Sequence, residues 1–134
     1  MTDADDDLAI LTIDAPGGRA RLTAGDSLTF GRRDPAGDSR HLGLSDNPRL
    51  HLHAGRIDVD PAGWVLTNVG RWLQVRVVEH GGPNRIDLQP GRVVRVPYPR
   101  CGVEVATVDE TVGLAATCPE VPAAAAGGTE GAGA

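Results

Sequence analysis

The sequence of 134 residues contains no lysine and few aromatic residues. Aromatic side chains make up 3% of it, so a core has to be built from the aliphatic residues that dominate its hydrophobic 40%. All 13 basic residues are arginine, a planar cation whose donors match the geometry of carboxylates and phosphates. At this length we expect one packed core, because two ordinary domains would each be too small.

Long apolar runs, a basic amino terminus and cysteines are also scarce. No run approaches the roughly 20 residues of a membrane span, and the chain opens on the acidic Asp5–Asp7 where a secretory signal would be basic. We therefore expect a cytoplasmic protein in which Cys101 and Cys118 are reduced, with a disulfide as the alternative. The net charge of −5 disfavours nucleic acids and anionic membranes as partners.

Hydrophobic residues recur with the period of two that is typical of β-strands. Ile57 and Val59, for example, share one face of such a segment. Gly, Pro and Asn bound roughly ten of these segments, a spacing typical of an all-β sandwich or barrel. We predict disordered ends, an acidic one over residues 1–7 and an Ala/Gly-rich tail or linker over residues 109–134, with one weak helical turn at residues 109–118.

Four short pieces of the sequence resemble the motifs of one family. A strand ends in Phe30-Gly31-Arg32, and it is followed by residues 51–57, by the Gly-Trp segment of residues 63–70 and by the hairpin of residues 86–96. In order and spacing these pieces resemble the forkhead-associated (FHA) domain. The resemblance covers residues 8–108. It implies an eleven-stranded β-sandwich that binds other proteins, usually through a phosphothreonine held by loops at one end.

The resemblance also implies a phosphate site, and this chain departs from it. The family uses the arginine of a Gly-Arg pair, a Ser-Arg pair and an Asn-Gly pair, and Arg32 matches the first of these. In one register the serine position falls on His51 and the family's histidine position on Ala54. In the other register these two positions fall on Leu50 and His53. Neither register supplies a serine.

The Asn-Gly position falls on Leu73 and Gln74, and a leucine cannot offer an amide to a peptide backbone. Each charge-assisted hydrogen bond that is lost removes about 1.5–3 kcal/mol of binding. We therefore predict a divergent FHA domain that brings proteins together without requiring phosphate. The alternatives are weak phosphothreonine recognition through Arg32 in Ser/Thr kinase signalling, and an accessory domain of a longer regulator such as a DNA-binding protein. The predicted partner-binding residues are Arg32, Arg33, Arg49, His51, Asn68, Arg71 and Trp72.

The tryptophans and histidines suggest further roles. Trp64 is predicted to lie in the core, whereas Trp72 either packs inward or, beside Arg71, forms an exposed contact point. His51 and His53 could begin a zinc site, but no third ligand stands at a supporting spacing, so we predict no metal and no other cofactor. No Ser-His-Asp arrangement or Gly-rich phosphate loop stands out, and we predict that the chain is not an enzyme.

Overall fold

The computed structural model describes residues 9–35 and 40–119, which form eleven β-strands and no helix. The strands are β1 (Leu11–Ala15), β2 (Gly18–Leu22), β3 (Ser27–Arg32), β4 (His41–Ser45), β5 (Gly55–Asp60), β6 (Gly63–Asn68), β7 (Val75–Glu79), β8 (Arg85–Leu88), β9 (Val93–Arg95), β10 (Arg100–Ala106) and β11 (Thr111–Thr117). This part of the chain therefore contains no helix that could cross a membrane. The ends predicted to be disordered, residues 1–7 and the tail beyond residue 119, lie outside the described residues.

The strands build two sheets that pack as a sandwich. The six-stranded sheet has the order β2-β1-β11-β10-β7-β8, and the five-stranded sheet has the order β4-β3-β5-β6-β9. Neighbouring strands are antiparallel except β3 and β4, which run parallel. The predicted all-β sandwich of eleven strands is confirmed.

The core follows from the period-two pattern of the strands, because alternate side chains point to the same face of a sheet. Ile57 of β5 lies opposite Leu66 of β6, and Val59 lies opposite Trp64. All four side chains are buried, as is Phe30 of β3. The core position predicted for Trp64 is confirmed, and the scarcity of aromatic residues leaves an interior that is otherwise largely aliphatic.

The domain boundary predicted at residue 108 is wrong. Thr111–Thr117 forms β11, which lies between β1 and β10 in the six-stranded sheet. The helical turn predicted for residues 109–118 does not form, because residues 111–117 pair with β10 and residues 115–117 pair with β1 as well, both in antiparallel ladders. Leu114 and Ala116 also face the core, a pattern of period two. The Ala and Gly content of this segment, which is typical of a linker, concealed that pattern.

Three connections meet at one end of the sandwich, beside the end of β3. They are the β4–β5 connection (residues 46–54), the β6–β7 connection (residues 69–74) and the β10–β11 connection (residues 107–110). Side-chain hydrogen bonds join the first of these connections to each of the other two. We call this end the apical end. Here the sandwich exposes loop residues that do not take part in the pairing of the strands.

Candidate functional site

A groove with a volume of about 430 Å³ opens at the apical end. It is formed by the end of β3 and by the three connections, and we call it the apical groove. Its lining residues are Arg32, Pro48, Arg49, Leu50, His51, Leu52, Trp72, Leu73, Thr107 and Val108.

The backbone at Arg32 is fixed by the close approach of two chain segments. The N–H of Arg32 donates a hydrogen bond to the carbonyl oxygen of His51 at 2.9 Å. The preceding Gly31 lies so close to the carbonyl oxygens of His51 and Leu52 that a Cβ atom there would overlap both. A glycine before the arginine is therefore required by packing, and it places Arg32 against the β4–β5 connection.

A buried histidine holds the other side of the same residue. The Nε2–H of His41 donates to the carbonyl oxygen of Arg32 at 2.8 Å, and its Nδ1 lies 2.8 Å from the hydroxyl oxygen of Thr29. Because a carbonyl oxygen can only accept, Nε2 must carry the proton. His41 is thus a positioning residue for Arg32. Nothing in the sequence distinguishes this residue, which stands as one histidine on a short strand.

The guanidinium group of Arg32 is only weakly engaged. Its NH1 atom lies 3.5 Å from the carbonyl oxygen of Pro48. Among the described residues, no carboxylate lies within ion-pair distance of it. Arg33, in contrast, lies over Gly43, forms an ion pair with Asp46 at 3.5 Å and does not line the apical groove. Of these two predicted site residues, the structure brings only Arg32 into the groove.

Arg49 is held at the groove by contacts with the β10–β11 connection. The side-chain amide of Asn47 donates to Asp109 and to Glu110, both at 2.8 Å, and its oxygen accepts the N–H of Arg49 at 2.9 Å. The guanidinium of Arg49 lies 3.5 Å from Asp109. Hydrogen bonds from Asn47 and Thr107 hold the pKa of Asp109 below its ordinary value of 3.8. Asn47 therefore links two walls of the groove.

His51 joins the β4–β5 connection to the β6–β7 connection. Its Nε2 accepts the N–H of Arg71 at 3.3 Å, and its ring meets that of Trp72 edge to face, with centroids 4.5 Å apart. Burial, and then the charge of Arg71, lower the pKa of His51 below 6.5, so the ring is neutral at pH 7. Gly70 completes this contact, because a Cβ atom there would come within 2.6 Å of the His51 ring.

Trp72 itself is 70% exposed. Of the two positions that the sequence allowed for this residue, the structure takes the exposed one. Its indole stands at the groove beside the neutral ring of His51. Arg71 contributes its backbone N–H to the site, and its side chain is exposed.

The direct contact predicted for Asn68 is wrong, because its side chain is fully buried. Its Nδ2 donates to the carbonyl oxygens of Leu73 and Leu88, at 2.9 and 2.8 Å, and its Oδ1 accepts the N–H of Gly70 at 3.1 Å. These three bonds close the β6–β7 connection on itself and tie it to β8. Asn68 therefore shapes the groove from below and is out of reach of a partner.

Two further lining residues, Thr107 and Val108, lie in the β10–β11 connection, at the end of the predicted domain. Thr107 accepts and donates hydrogen bonds within the β10–β11 connection, and Val108 is 85% exposed beside the groove. Neither residue is among those predicted from the sequence, and nor is Asn47. Their contacts reach across about sixty positions of the chain, and a local pattern carries no signal of them.

The histidines and cysteines are not gathered into one centre. His51 contacts Trp72, whereas His53 contacts His41 with ring centroids 5.2 Å apart. In residues 9–35 and 40–119, no three His, Cys, Asp or Glu side chains are grouped to hold a metal ion. Cys101 and Cys118 are buried and form no disulfide among the described residues, and burial raises the pKa of Cys101 to about 12.

Solved structures give the clearest comparison, since the sequence matches no protein-family model and no curated protein sequence. The FHA domain of a hypothetical protein from Arabidopsis thaliana aligns with a TM-score of 0.57 and 15% identity, over 82% of this chain and 86% of its own. The FHA-1 domain of Rv1747 from Mycobacterium tuberculosis aligns with a TM-score of 0.50 and 18% identity, over 82% of this chain and 96% of its own. The chain therefore has the FHA fold, in a divergent form.

Proposed function

We propose that this chain is a protein-interaction module that binds a segment of a partner protein in the apical groove, and that this binding does not require phosphate. The observation that carries the proposal is the groove itself, a cleft of about 430 Å³ beside a tryptophan that is 70% exposed. Exposed aromatic residues next to arginine are enriched among the residues that dominate protein–protein binding energy.

The lining supports contact with a protein more than a dedicated phosphate site. Leu50, Leu52 and Leu73 contribute apolar surface to the groove, and no serine is among its lining residues. The one lining hydroxyl, that of Thr107, already bonds to Asp109 at 2.8 Å. A phosphate carries about −1.5 to −2 charges and three acceptor oxygens, and it would need several donors that are free to turn toward it.

Among the described residues, one hydroxyl–imidazole pair resembles a catalytic arrangement, and its surroundings favour a structural role. Thr29 and His41 are 2.8 Å apart, but His41 is 8% exposed and its second nitrogen is committed to the carbonyl oxygen of Arg32. Catalysis would also need a substrate site at this buried ring, and the lining of the apical groove includes neither Thr29 nor His41. We therefore propose no catalytic role for this pair.

A second candidate function is recognition of phosphothreonine, and it rests on Arg32. Its guanidinium faces the groove without an ion-pair partner among the described residues, at the position where the family resemblance implies a phosphate-binding arginine. Forked donors of this kind bind phosphate as readily as carboxylate. The alternative of an accessory domain in a longer regulator stays a prediction.

The test is an NMR titration of the 15N-labelled chain with a degenerate phosphothreonine peptide pool and with its unphosphorylated twin. The indole N–H of Trp72 reports on the groove, and that of the buried Trp64 serves as an internal reference. We expect equal shifts of Trp72, Arg32 and His51 with both pools. Trp72→Ala should abolish them, whereas Val93→Ala, a matched change at an exposed residue on β9, should not.

The other outcomes separate the two functions. Shifts that appear only with the phosphorylated pool would establish the second candidate. No shift with either pool, at millimolar peptide, would contradict the use of the groove as a peptide site.

A further inference from the structure

The charge at the apical groove differs in sign from the charge of the whole chain. The chain carries a net charge of −5, yet Arg32 and Arg49 line the groove and Arg71 lies beside it. Arg49 is partly neutralised by Asp109 at 3.5 Å. Arg32 is not neutralised by any carboxylate of the described residues and, unlike Arg71, it lines the groove itself, so it is the lining cation left to meet an incoming anion.

The donors around Arg32 suit a small anion with one negative charge. A guanidinium offers a planar fork that matches the two oxygens of a carboxylate. His51, the neighbouring lining residue, is neutral at pH 7 and uses Nε2 as an acceptor toward Arg71. With one arginine free of carboxylates, the second lining arginine paired with Asp109 and no free hydroxyl, the groove meets the needs of a carboxylate and falls short of those of a phosphate dianion.

The groove also has an apolar surface besides its arginines. Trp72 and Val108 are 70% and 85% exposed, and Leu52 and Leu73 lie in the lining beside them. A large apolar side chain of a ligand would cover these groups, and the removal of apolar surface from water favours binding. The groove therefore has a cationic feature and an apolar feature that one short segment can use together.

We propose, resting on the function proposed above, that the apical groove selects an unphosphorylated, extended segment in which an Asp or Glu lies close in sequence to a large apolar residue. The carboxylate accepts hydrogen bonds from the guanidinium fork of Arg32, and the apolar side chain packs on Trp72. Arg32 then acts as a specificity-determining residue for a carboxylate, and Trp72 supplies the apolar contact.

The first experiment uses the full chain and an array of random, unphosphorylated nonapeptides. We expect Asp or Glu to be enriched within about four positions of Leu, Ile, Phe or Trp. The best peptide is then synthesised in three forms, with its acidic residue as Glu, as Gln and as phosphothreonine. Binding is followed by the fluorescence of Trp72, because Trp64 is buried and does not line the groove.

The Glu form should bind about tenfold or more tightly than the Gln form, the loss expected for one charge-assisted bond. Arg32→Gln should abolish this preference. Arg33→Gln, which alters the adjacent arginine outside the groove, should preserve it. The preference should also weaken as salt is raised, since an exposed ion pair is screened.

Three results would overturn the inference, and they differ in what else they affect. Groove binding with no acidic preference, or with a preference that survives Arg32→Gln, would contradict selection by Arg32 and leave the proposed function standing. Tighter binding of the phosphothreonine form by tenfold or more would favour the second candidate function instead. If no peptide changes the fluorescence of Trp72 or its NMR signals, the proposed function itself fails.

Discussion

The buried side chain of Asn68 offers the sharpest test of how the groove is built. Replacement by Ala removes three hydrogen bonds and leaves three backbone groups without that partner: the carbonyl oxygens of Leu73 and Leu88 and the N–H of Gly70. A buried polar group left unpaired costs about 1–3 kcal/mol. Asn68→Ala should therefore lower the free energy of unfolding by about 3 kcal/mol or more, a large part of the roughly 5–15 kcal/mol typical of a domain.

The assay is urea unfolding at pH 7, followed by the fluorescence of the buried Trp64. Asn84→Ala is the matched control, because the amide of Asn84 donates to Glu79 at 2.9 Å on the exposed surface. That variant should change the free energy of unfolding by about 0.5 kcal/mol or less. Asn68→Asp is the isosteric variant, and it should destabilise the fold at least as much as Asn68→Ala, since an oxygen would then face two carbonyl oxygens.

The structure also predicts where the damage appears. Hydrogen exchange at the amide of Gly70 should accelerate before that of the core strands, because its acceptor is lost. If Asn68→Ala and Asn68→Asp both stay within about 1 kcal/mol of the wild type, the three bonds do not hold the β6–β7 connection. Asn68 would then have to be reconsidered as a residue that can turn outward.

Two further predictions concern pH. Because the pKa of His51 is lowered by burial and by Arg71, the contribution of His51 to stability is complete above pH 6.5 and declines as pH falls through the lowered pKa. Acidification from pH 7 to 5 should therefore shift the fluorescence emission of Trp72. His51→Gln, whose amide oxygen can still accept the N–H of Arg71, should remove that pH response. Asn47→Ala should raise the pKa of Asp109 toward 3.8, since its largest stabilising hydrogen bond is lost, and carboxyl 13C NMR would measure the change; an unchanged pKa would show that Asn47 does not link the two walls in solution.

The sequence predicts the sheets well because period-two alternation and turn residues are local signals. It fails at β11, where Val112, Leu114 and Ala116 pack against the core and the other residues are Thr, Gly and Ala. Alternation is then visible only once β1 and β10 are known to flank the strand. A strand that is specified by its neighbours carries little signal of its own.

In the candidate site, too, some residues can be predicted from the sequence and others cannot. Arg32 follows from a Gly-Arg pair at a strand end, and the structure supplies the reason in the backbone contact at Gly31. The roles of His41 and Asn68 do not follow from the sequence, because a buried histidine or asparagine and an exposed one are written with the same letter. Their partners, at Arg32 and Leu88, become visible only when separate strands are brought together.

Three of the residues that position the groove do not line it, and this separation bears on how the site can diverge. Gly31, His41 and Asn68 are buried and hold the backbone, whereas Trp72 is exposed and Arg32 lacks a carboxylate partner among the described residues. Truncating the second set removes few internal contacts. Arg32→Gln and Trp72→Ala should therefore each change the free energy of unfolding by about 0.5 kcal/mol or less, the range of ordinary surface substitutions, while they abolish or weaken peptide binding. A loss of stability comparable to that of Asn68→Ala would contradict the separation, because it would place the lining residues in the framework that holds the connections together.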